Sequence, residues 1–297
     1  MIIFNSRGQL GNQLYQWCYL LECSLKYNQL FFFLKSDHKN KHQDYFEIKQ
    51  LNNKINNTYI SIFLYKYILK LNKKVYSIIL KLIKLKFKVS QEINEDMWKF
   101  PTLQEPSSSN LIYNVDGYFQ SLYYFKTNKK LITDSLNIKK EYTAIFYQKY
   151  NQLINKELLV VHFRKSDYVS SGSEDLGGMD ISLPNKYYHE VFNNIINQDK
   201  YKIIFISDAS IQKELLEEFN YLQNIEIIED NEINHFQLMQ QASCLVISNS
   251  TFAWWAAFLN KKNDKKIYAP KHWIGFKVKK EYPVGIFNNL DWNIIDF

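Results

Sequence analysis

Basic and acidic side chains stand together in VVHFRKSDYV, residues 160–169, at the end of an apolar run. Side chains alternate along a β-strand, so His162 and Arg164 share one face of it. A polar pair on an otherwise apolar strand must be satisfied, because burying it unpaired costs several kcal/mol. Arginine offers a planar fork to phosphate oxygens, which Asp167 or His162 could orient. The spacing predicts an anion site, with a buried structural ion pair beside Asp167 as the alternative.

Two more apolar runs end in residues that suit the same ligand. Asn249, Ser250 and Thr251 follow one run and precede a helical pattern, and hydroxyl groups at a helix N-terminus favour phosphate. Helix capping alone would also explain the Ser and Thr residues. Asp208 ends the run FISD, where it either caps a helix or accepts a hydrogen bond from a nucleotide.

The second half of the chain supplies the elements that position these residues. Apolar runs rich in β-forming residues alternate there with helical patterns, which predicts βαβ units and a parallel sheet buried on both faces. Ligands of such sheets bind outside the carboxyl ends of the strands. The predicted strands lie within 157–167, 201–208, 242–251 and 265–270, and the predicted helices span 184–198, 211–220, 232–241 and 251–259.

The first half opens with the same rhythm. The strand MIIFNS leads into the glycine loop, residues 8–13, and then into an amphipathic helix and the strand LFFFLK. Gly8 and Gly11 lie close together in a chain with only eight glycines, and Gly11 is expected to supply an unusual φ or a close backbone approach. We place the domain boundary at 150, with domains 1–150 and 151–297.

The composition limits which cellular compartment and which binding chemistry we expect. The chain is 46 % apolar and has three cysteines without metal-ligand spacing, which favours buried thiols in a reducing compartment. Neither a signal peptide nor an apolar stretch of membrane-spanning length is found, so we expect a cytoplasmic protein. The sequence also holds no Asp-x-Asp pair. We therefore expect no metal and no cofactor, and a diphosphate held by Arg, Lys, hydroxyl groups and helix N-termini.

The net charge of +7 is concentrated in the Lys-rich segment 48–91, which has ten lysines and no Asp or Glu. Three interpretations stay open for it. It is a helix pair with a solvated lysine face, a basic amphipathic surface for an anionic inner membrane, or a nucleic-acid surface. No nucleic-acid motif supports the third interpretation, and we expect no nucleic-acid partner.

In combination these segments resemble the α-1,2-fucosyltransferases of glycosyltransferase family 11, of bacterial type. The resemblance is carried, in order along the chain, by GQLGNQLYQW, VHFRKSDYV, FISD, ISNSTFAWWAAFL and KIYAPKHW. It implies a GT-B-like fold with two Rossmann-like domains facing a cleft. The first domain would be the acceptor side and the second would bind the GDP-sugar.

The resemblance also implies a reaction and roles for individual residues. An inverting, metal-independent galactoside 2-α-L-fucosyltransferase would move L-fucose from GDP-β-L-fucose to the 2-hydroxyl of a terminal galactose, on a lipid-linked or O-antigen-type glycan. The catalytic group carried over is Asn12, His162, Arg164 and Asp167. The donor-binding residues carried over are Gly11, Gln13, Lys165, Asp208, His235, Asn249, Ser250 and Thr251.

Two departures from the family pattern keep alternatives open. Lys165 stands where the family has a second arginine, and lysine keeps the charge but loses the fork. His235 stands where the family usually has an aspartate that would read guanine. The enzyme alternative is a GT-B transferase that uses another sugar nucleotide. The non-enzyme alternative is a basic membrane- or nucleic-acid-binding protein with a degenerate site.

Overall fold

The structure is a computed structural model, and it describes residues 1–34, 41–48, 90–102 and 111–297 together with residues 61, 78 and 81. These form two compact units, Met1–Lys139 with Val284–Asn288, and Lys140–Pro283 with Asn289–Phe297. The predicted boundary at 150 falls inside the helix Lys140–Ile154. Within the second unit, the Tyr150 hydroxyl donates a 2.6 Å hydrogen bond to Asp230.

The first unit is built on a parallel four-stranded sheet in the order β2-β1-β5-β4. Its strands are β1 (Ile2–Asn5), β2 (Phe31–Leu34), β4 (Ser90–Asn94) and β5 (Ile112–Asp116). A short antiparallel pair joins β3 (Phe46–Ile48) to β6 (Leu136–Ile138). The helices with described bounds are α1 (Leu10–Tyr27), α2 (Lys41–Tyr45) and α3 (Lys129–Asp134). Helix α1 is buried along most of its length, and its Trp17 meets Phe31 edge-on at 5.4 Å.

The second unit holds a parallel six-stranded sheet in the order β12-β11-β10-β7-β8-β9. The strands are β7 (Leu158–Phe163), β8 (Lys202–Ser207), β9 (Ile225–Ile227), β10 (Cys244–Val246), β11 (Lys266–Pro270) and β12 (Asn293–Ile295). The helices are α4 (Lys140–Ile154), α5 (Asn185–Asn194), α6 (Lys213–Glu218), α7 (Glu232–Gln240) and α8 (Thr251–Phe258). The predicted βαβ alternation is confirmed, while β9 and β12 are three-residue strands that the pattern did not predict.

The strand order of the second unit creates a place for a ligand. The chain runs outward from β7 through β8 to β9, and then returns to lay β10 on the opposite side of β7. Connections therefore leave β7 and β10 in opposite directions, which opens a crevice at their carboxyl ends. All six residues of β7 are buried, as expected for a strand covered on both faces.

Core packing agrees with two further predictions. Trp254 and Trp255 are fully buried, and Trp254 stacks on Phe258 with ring centroids 4.9 Å apart. The three cysteines are free and buried, as expected for small apolar side chains. Almost all of the Lys-rich segment lies outside the described residues. In the part of the chain that is described, no helix is long and apolar enough to cross a membrane.

Candidate active site

Arg164 leaves β7 directly at the crevice and is the centre of the charged cluster. Its Nη2 lies 2.6 Å from Oδ1 of Asp167, and its Nη1 lies 2.9 Å from Oδ2 of Asp208. Only 17 % of the Arg164 side chain is exposed. The predicted partnership between Arg164 and Asp167 is therefore present, and the neighbouring strand contributes a second carboxylate. The guanidinium is held in place before any ligand arrives.

Asp208 organises the loop that carries Arg164. Its Oδ1 accepts a 2.8 Å hydrogen bond from the Lys165 amide and a longer one from the Ser166 amide, and its Oδ2 accepts from the Ser166 hydroxyl. Burial would raise the pKa of Asp208, but these hydrogen bonds and the Arg164 charge outweigh it and lower that pKa. Gln212, and not Asp208, occupies the N-cap position of the next helix, α6. The helix-cap interpretation is wrong, and the carboxylate is engaged by its own loop.

His162 is almost completely buried, and its side chain is not exposed to solvent in the crevice. Only 2 % of the residue is exposed, and its Nδ1 lies 2.9 Å from the Ser248 hydroxyl. This contact joins β7 to the segment that follows β10. Burial lowers the pKa of His162 well below its usual value, so the ring is neutral at pH 7. The ring is therefore enclosed by its own unit, and the place of His162 in the catalytic group stays a prediction.

The segment after β10 brings the three predicted polar residues to the same sheet edge. Ser250 occupies the N-cap position of α8, and within the described structure its side chain makes no capping hydrogen bond. Thr251 is the first residue of α8. The side-chain amide nitrogen of Asn249 donates a 2.8 Å hydrogen bond to the Ile181 carbonyl oxygen. The hydroxyl of Ser250 therefore does not serve as the cap that the alternative interpretation required.

Two buried polar atoms of this cluster lack a partner among the described residues. They are Nε of Arg164 and Oδ1 of Asn249. Buried polar groups in folded proteins nearly always find a hydrogen-bond partner, so each such atom calls for an explanation. One atom is a cationic donor and the other is a neutral acceptor. A ligand that carries both an anionic group and a hydroxyl or N–H donor would satisfy both.

Tyr168 belongs to the site, although the sequence reasoning did not select it. The Arg164 guanidinium carbon lies 5.0 Å from the centroid of its ring, a distance that allows cation–π attraction. Its hydroxyl donates to the Asn249 carbonyl at 3.1 Å. Tyr168 thus connects the loop after β7 with the segment after β10. Its place in the segment RKSDYV was the available signal.

Lys165 is directed to a different environment from Arg164. Its Nζ donates to the Leu183 carbonyl at 3.2 Å, and it lines an open cavity of about 340 Å³ together with Asp180 and Lys277. Burial lowers the pKa of Lys165, an effect that the nearby Asp180 and Glu218 oppose. The ammonium thus makes one hydrogen bond to a backbone carbonyl and keeps further N–H donors, and the donor contact of Lys165 stays a prediction.

His235, on α7, is also engaged by its own unit. Its Nε2 lies 3.0 Å from the Ile228 carbonyl oxygen and 3.2 Å from the Asp230 amide nitrogen. Only 7 % of the residue is exposed, and burial lowers its pKa. The donor-binding place of His235, with the weaker or different recognition that replacement of the family's aspartate implies, stays a prediction. The ring stabilises the turn that leads into α7.

The glycine loop of the first unit departs from expectation at two positions. Gly8 has the positive φ, +70°, whereas Gly11 lies inside α1 and is not among the residues with positive φ. Gln13 is fully buried; its Nε2 donates to the Gly8 carbonyl at 3.0 Å and its Oε1 accepts from the His42 amide. The predicted donor contact of Gln13 is therefore replaced by a structural one. Asn12 is partly exposed and accepts a 2.9 Å hydrogen bond from Gln120.

Among the described residues, no group of three or more His, Cys, Asp or Glu side chains is arranged to hold a metal ion.

Comparison with solved structures identifies the fold. The crystal structure of the fucosyltransferase NodZ from Bradyrhizobium matches with a TM-score of 0.50 and 11 % identity, covering 87 % of this chain and 92 % of that one. A crystal structure of POFUT1 in complex with GDP-fucose matches with a TM-score of 0.50 and 12 % identity, covering 90 % of this chain and 96 % of that one. Identities this low show the fold alone, which is the α/β fold of GT-B-type transferases.

Comparison of sequences identifies the family. The O-antigen biosynthesis glycosyltransferase WbnK of Escherichia coli is 25 % identical over 187 residues, or 60 % of this chain. The match spans 61 % of the length of that relative. The profile of glycosyl transferase family 11 matches residues 1–281. This match covers nearly the whole chain, and the protein belongs to glycosyl transferase family 11.

Proposed function

We propose that this protein is an inverting fucosyltransferase that moves L-fucose from GDP-β-L-fucose to the 2-hydroxyl of a terminal galactose. The observation that carries the proposal is the Arg164 cluster at the carboxyl ends of β7, β8 and β10. It combines a fixed guanidinium, a helix N-terminus and two buried atoms, Arg164 Nε and Asn249 Oδ1, that find no hydrogen-bond partner among the described residues. A nucleoside diphosphate offers oxyanions to the first two groups and hydroxyl or N–H donors to the third.

The chemistry follows from the charges that must be stabilised. Cleavage of the fucosyl–phosphate bond places negative charge on the leaving GDP. The Arg164 guanidinium and the N-terminal amides of α8 oppose that charge without reorganising, and such preorganised stabilisation is usually the largest catalytic contribution. The acceptor hydroxyl attacks the anomeric carbon from the opposite face and loses its proton as the new glycosidic bond forms. Inversion turns the β-linked donor into an α-linked product.

The comparisons support this choice of donor and acceptor by analogy. Two proteins that share the fold are described as fucosyltransferase NodZ and as POFUT1 in complex with GDP-fucose. The relative WbnK is described as an O-antigen biosynthesis glycosyltransferase. We therefore propose a galactose-terminated glycan of the O-antigen type, in lipid-linked form, as the acceptor.

The proposal is tested by incubating the purified protein with GDP-fucose and a panel of β-galactosides, and by determining the linkage of any product. Transfer should persist in EDTA, because the site relies on arginine, amide and hydroxyl groups. Activity that is lost in EDTA and restored by Mn²⁺ would contradict the metal-independent part of the proposal. Fucosylated product with a linkage other than α-1,2 would contradict the regiochemistry alone.

A second candidate is a transferase that uses a different sugar nucleotide. It is favoured by His235, whose Nε2 already contacts the Ile228 carbonyl and the Asp230 amide. A thermal-shift panel of GDP-fucose, GDP-mannose and UDP-sugars separates the two candidates. The first predicts the largest thermal shift with GDP-fucose, and the second predicts a larger shift with another nucleotide of the panel.

We also propose that the Lys-rich segment holds the enzyme at the anionic surface of the inner membrane, where a lipid-linked acceptor would lie. The support is its sequence, with ten lysines and no acidic residue. Such segments gain about 1 kcal/mol per basic residue near an anionic surface. Co-sedimentation with anionic vesicles at low salt, lost at high salt, is the expected result. Failure to co-sediment at low salt would overturn this part of the proposal.

A further inference from the structure

The first unit contains a cavity that the donor chemistry does not use. It has a volume of about 190 Å³ and opens at the carboxyl end of β4, the side of a parallel sheet at which ligands bind. Aromatic rings, two carboxylates and one amide line it. Six of these residues are Tyr19, Asn94, Glu95, Asp96, Phe100 and Phe119.

The charges of the described lining disfavour a phosphorylated ligand. Among the described lining residues, Lys99 is the one cation, and its Nζ is paired with Asp96 at 2.9 Å. Glu95 contributes a further acidic group. A diphosphate would meet carboxylates here, whereas a neutral polyol would offer hydroxyl donors to the same oxygens. The lining of this cavity therefore carries mainly acidic groups, whereas the Arg164 cluster is centred on a cation.

The aromatic side of the cavity includes a ring that is open to solvent. Phe100 is 51 % exposed, although it is a large apolar residue, and its ring meets Tyr123 edge-on at 5.5 Å. A pyranose presents the same two surfaces as this lining, with C–H groups on its face and hydroxyl groups around its edge. Pockets that combine aromatic walls with a few placed polar groups are typical of small-molecule sites.

The cavity is held in shape before a ligand binds. Glu95 Oε2 accepts hydrogen bonds from the Tyr118 and Phe119 amides, each at 2.7 Å. These bonds fix Phe119 at a positive φ of 55° and keep its ring stacked on Tyr19, with centroids 3.9 Å apart. Ordering of the loop is therefore not a cost that a ligand must meet on binding.

We propose that this cavity is a saccharide subsite that binds one pyranose ring of the acceptor glycan. Its volume is below the roughly 300–1,000 Å³ of pockets for drug-sized ligands, which suits a single ring. Phe100 covers the C–H face, and Asp96 and Glu95 accept from ring hydroxyl groups. The assignment of this sugar as the acceptor rests on the proposed function, while the presence of a sugar site does not.

Two measurements on the full chain test the subsite, with methyl β-D-galactopyranoside as the probe. Saturation-transfer NMR reports binding of the probe, and GDP titration calorimetry reports the donor side. Phe100→Ala and Asp96→Asn should each lower the affinity for the probe at least tenfold and raise the KM for the acceptor by a similar factor. The affinity for GDP should stay within twofold of wild type. Phe100→Tyr keeps the ring and should retain binding. Tyr147→Ala removes an exposed aromatic residue of the second unit and is the matched control.

Each outcome separates the subsite from the proposed function. Probe binding that is unchanged in Phe100→Ala and Asp96→Asn overturns the subsite, even if the wild type fucosylates galactosides. Probe binding that depends on Phe100 supports the subsite, even if no sugar nucleotide is turned over, in which case the proposed function fails. An equal loss in Tyr147→Ala would show a general effect on the protein and would overturn the assignment to Phe100.

Discussion

The guanidinium of Arg164 and the carboxylate of Asp208 meet at 2.9 Å across the ends of two neighbouring strands, and both side chains are 17 % exposed. The same carboxylate holds the Lys165 amide and the Ser166 hydroxyl. The pair therefore joins a cation suited to a diphosphate with the group that fixes its loop.

Replacement of Arg164 should remove donor binding without unfolding the protein. Each charge-assisted hydrogen bond contributes about 1.5–3 kcal/mol. Arg164→Ala should therefore lower the affinity for GDP roughly 10- to 150-fold or more. Arg164→Lys keeps the charge and loses the fork, and we expect an intermediate affinity. Calorimetry with GDP, together with far-UV circular dichroism, checks both variants. GDP affinity equal to wild type in Arg164→Ala would remove the donor site from this cluster.

Substitution of Asp208 should reduce stability more than substitution of Asp167, although both carboxylates contact Arg164. Asp208→Asn breaks a partly buried network and should reduce unfolding free energy by about 1–3 kcal/mol, with a lower kcat. Asp167 is 52 % exposed, and Asp167→Asn should change stability by less than about 1 kcal/mol. Urea unfolding at pH 7 compares the two. Equal effects would show that Asp208 does not organise the loop.

Acid should destabilise the protein first through buried histidines. Burial lowers the pKa of His42 to about 3, against about 6.5 when unfolded. Between these two pKa values His42 is protonated in the unfolded chain and neutral in the folded chain. The free energy of unfolding therefore falls as pH drops from about 6.5 toward 3. His162 acts in the same direction, since burial lowers its pKa as well.

Urea unfolding midpoints between pH 7 and pH 4.5 measure this effect. We expect His42→Leu to flatten the slope even if it lowers the absolute stability. His272→Asn is the control, because it removes a partly exposed histidine that has a positive φ of 63°, which asparagine tolerates. A slope in His42→Leu as steep as that of wild type would refute the assignment.

The predicted strands and the predicted site differ in how far local pattern determines them. Continuous Val and Ile runs identified β7, β8 and β10, because strands buried on both faces need apolar residues throughout. The three-residue strands β9 and β12 offer too short a pattern. Arg164 and Asp208 were each predicted to serve a ligand, but their pairing depends on β8 lying beside β7, and strand order is a tertiary property.

Other site residues depended on environments that a motif does not reveal. Lys165 and His235 were assigned to the donor by their places in the motifs, and a motif does not show the backbone contacts that each side chain makes in the structure. Glu95 lies in a Lys/Asn-rich region without a clear pattern. Its role emerges only because β4 pairs with β5 and brings its carboxylate to the turn after β5.

Substitution of Gly8 should disturb Asn12 directly. A Cβ at Gly8 would clash with Asn12 Nδ2, and the φ of +70° adds roughly 1–2 kcal/mol of strain for a residue with a side chain. Gly8→Ala should therefore lower both stability and transfer. In the double variant with Asn12→Ala, part of the stability should return while the φ strain remains. Additive losses in this cycle would show that the two residues are not coupled.

The central claim is tested most directly by offering the wild-type protein GDP-fucose and a β-galactoside, in EDTA, and determining the linkage of the product by NMR. The account predicts an α-1,2-fucosylated galactoside with wild type and a strongly reduced amount with Arg164→Ala. It is contradicted if the folded wild type forms no fucosylated product from any β-galactoside of the panel while it turns over a different sugar nucleotide.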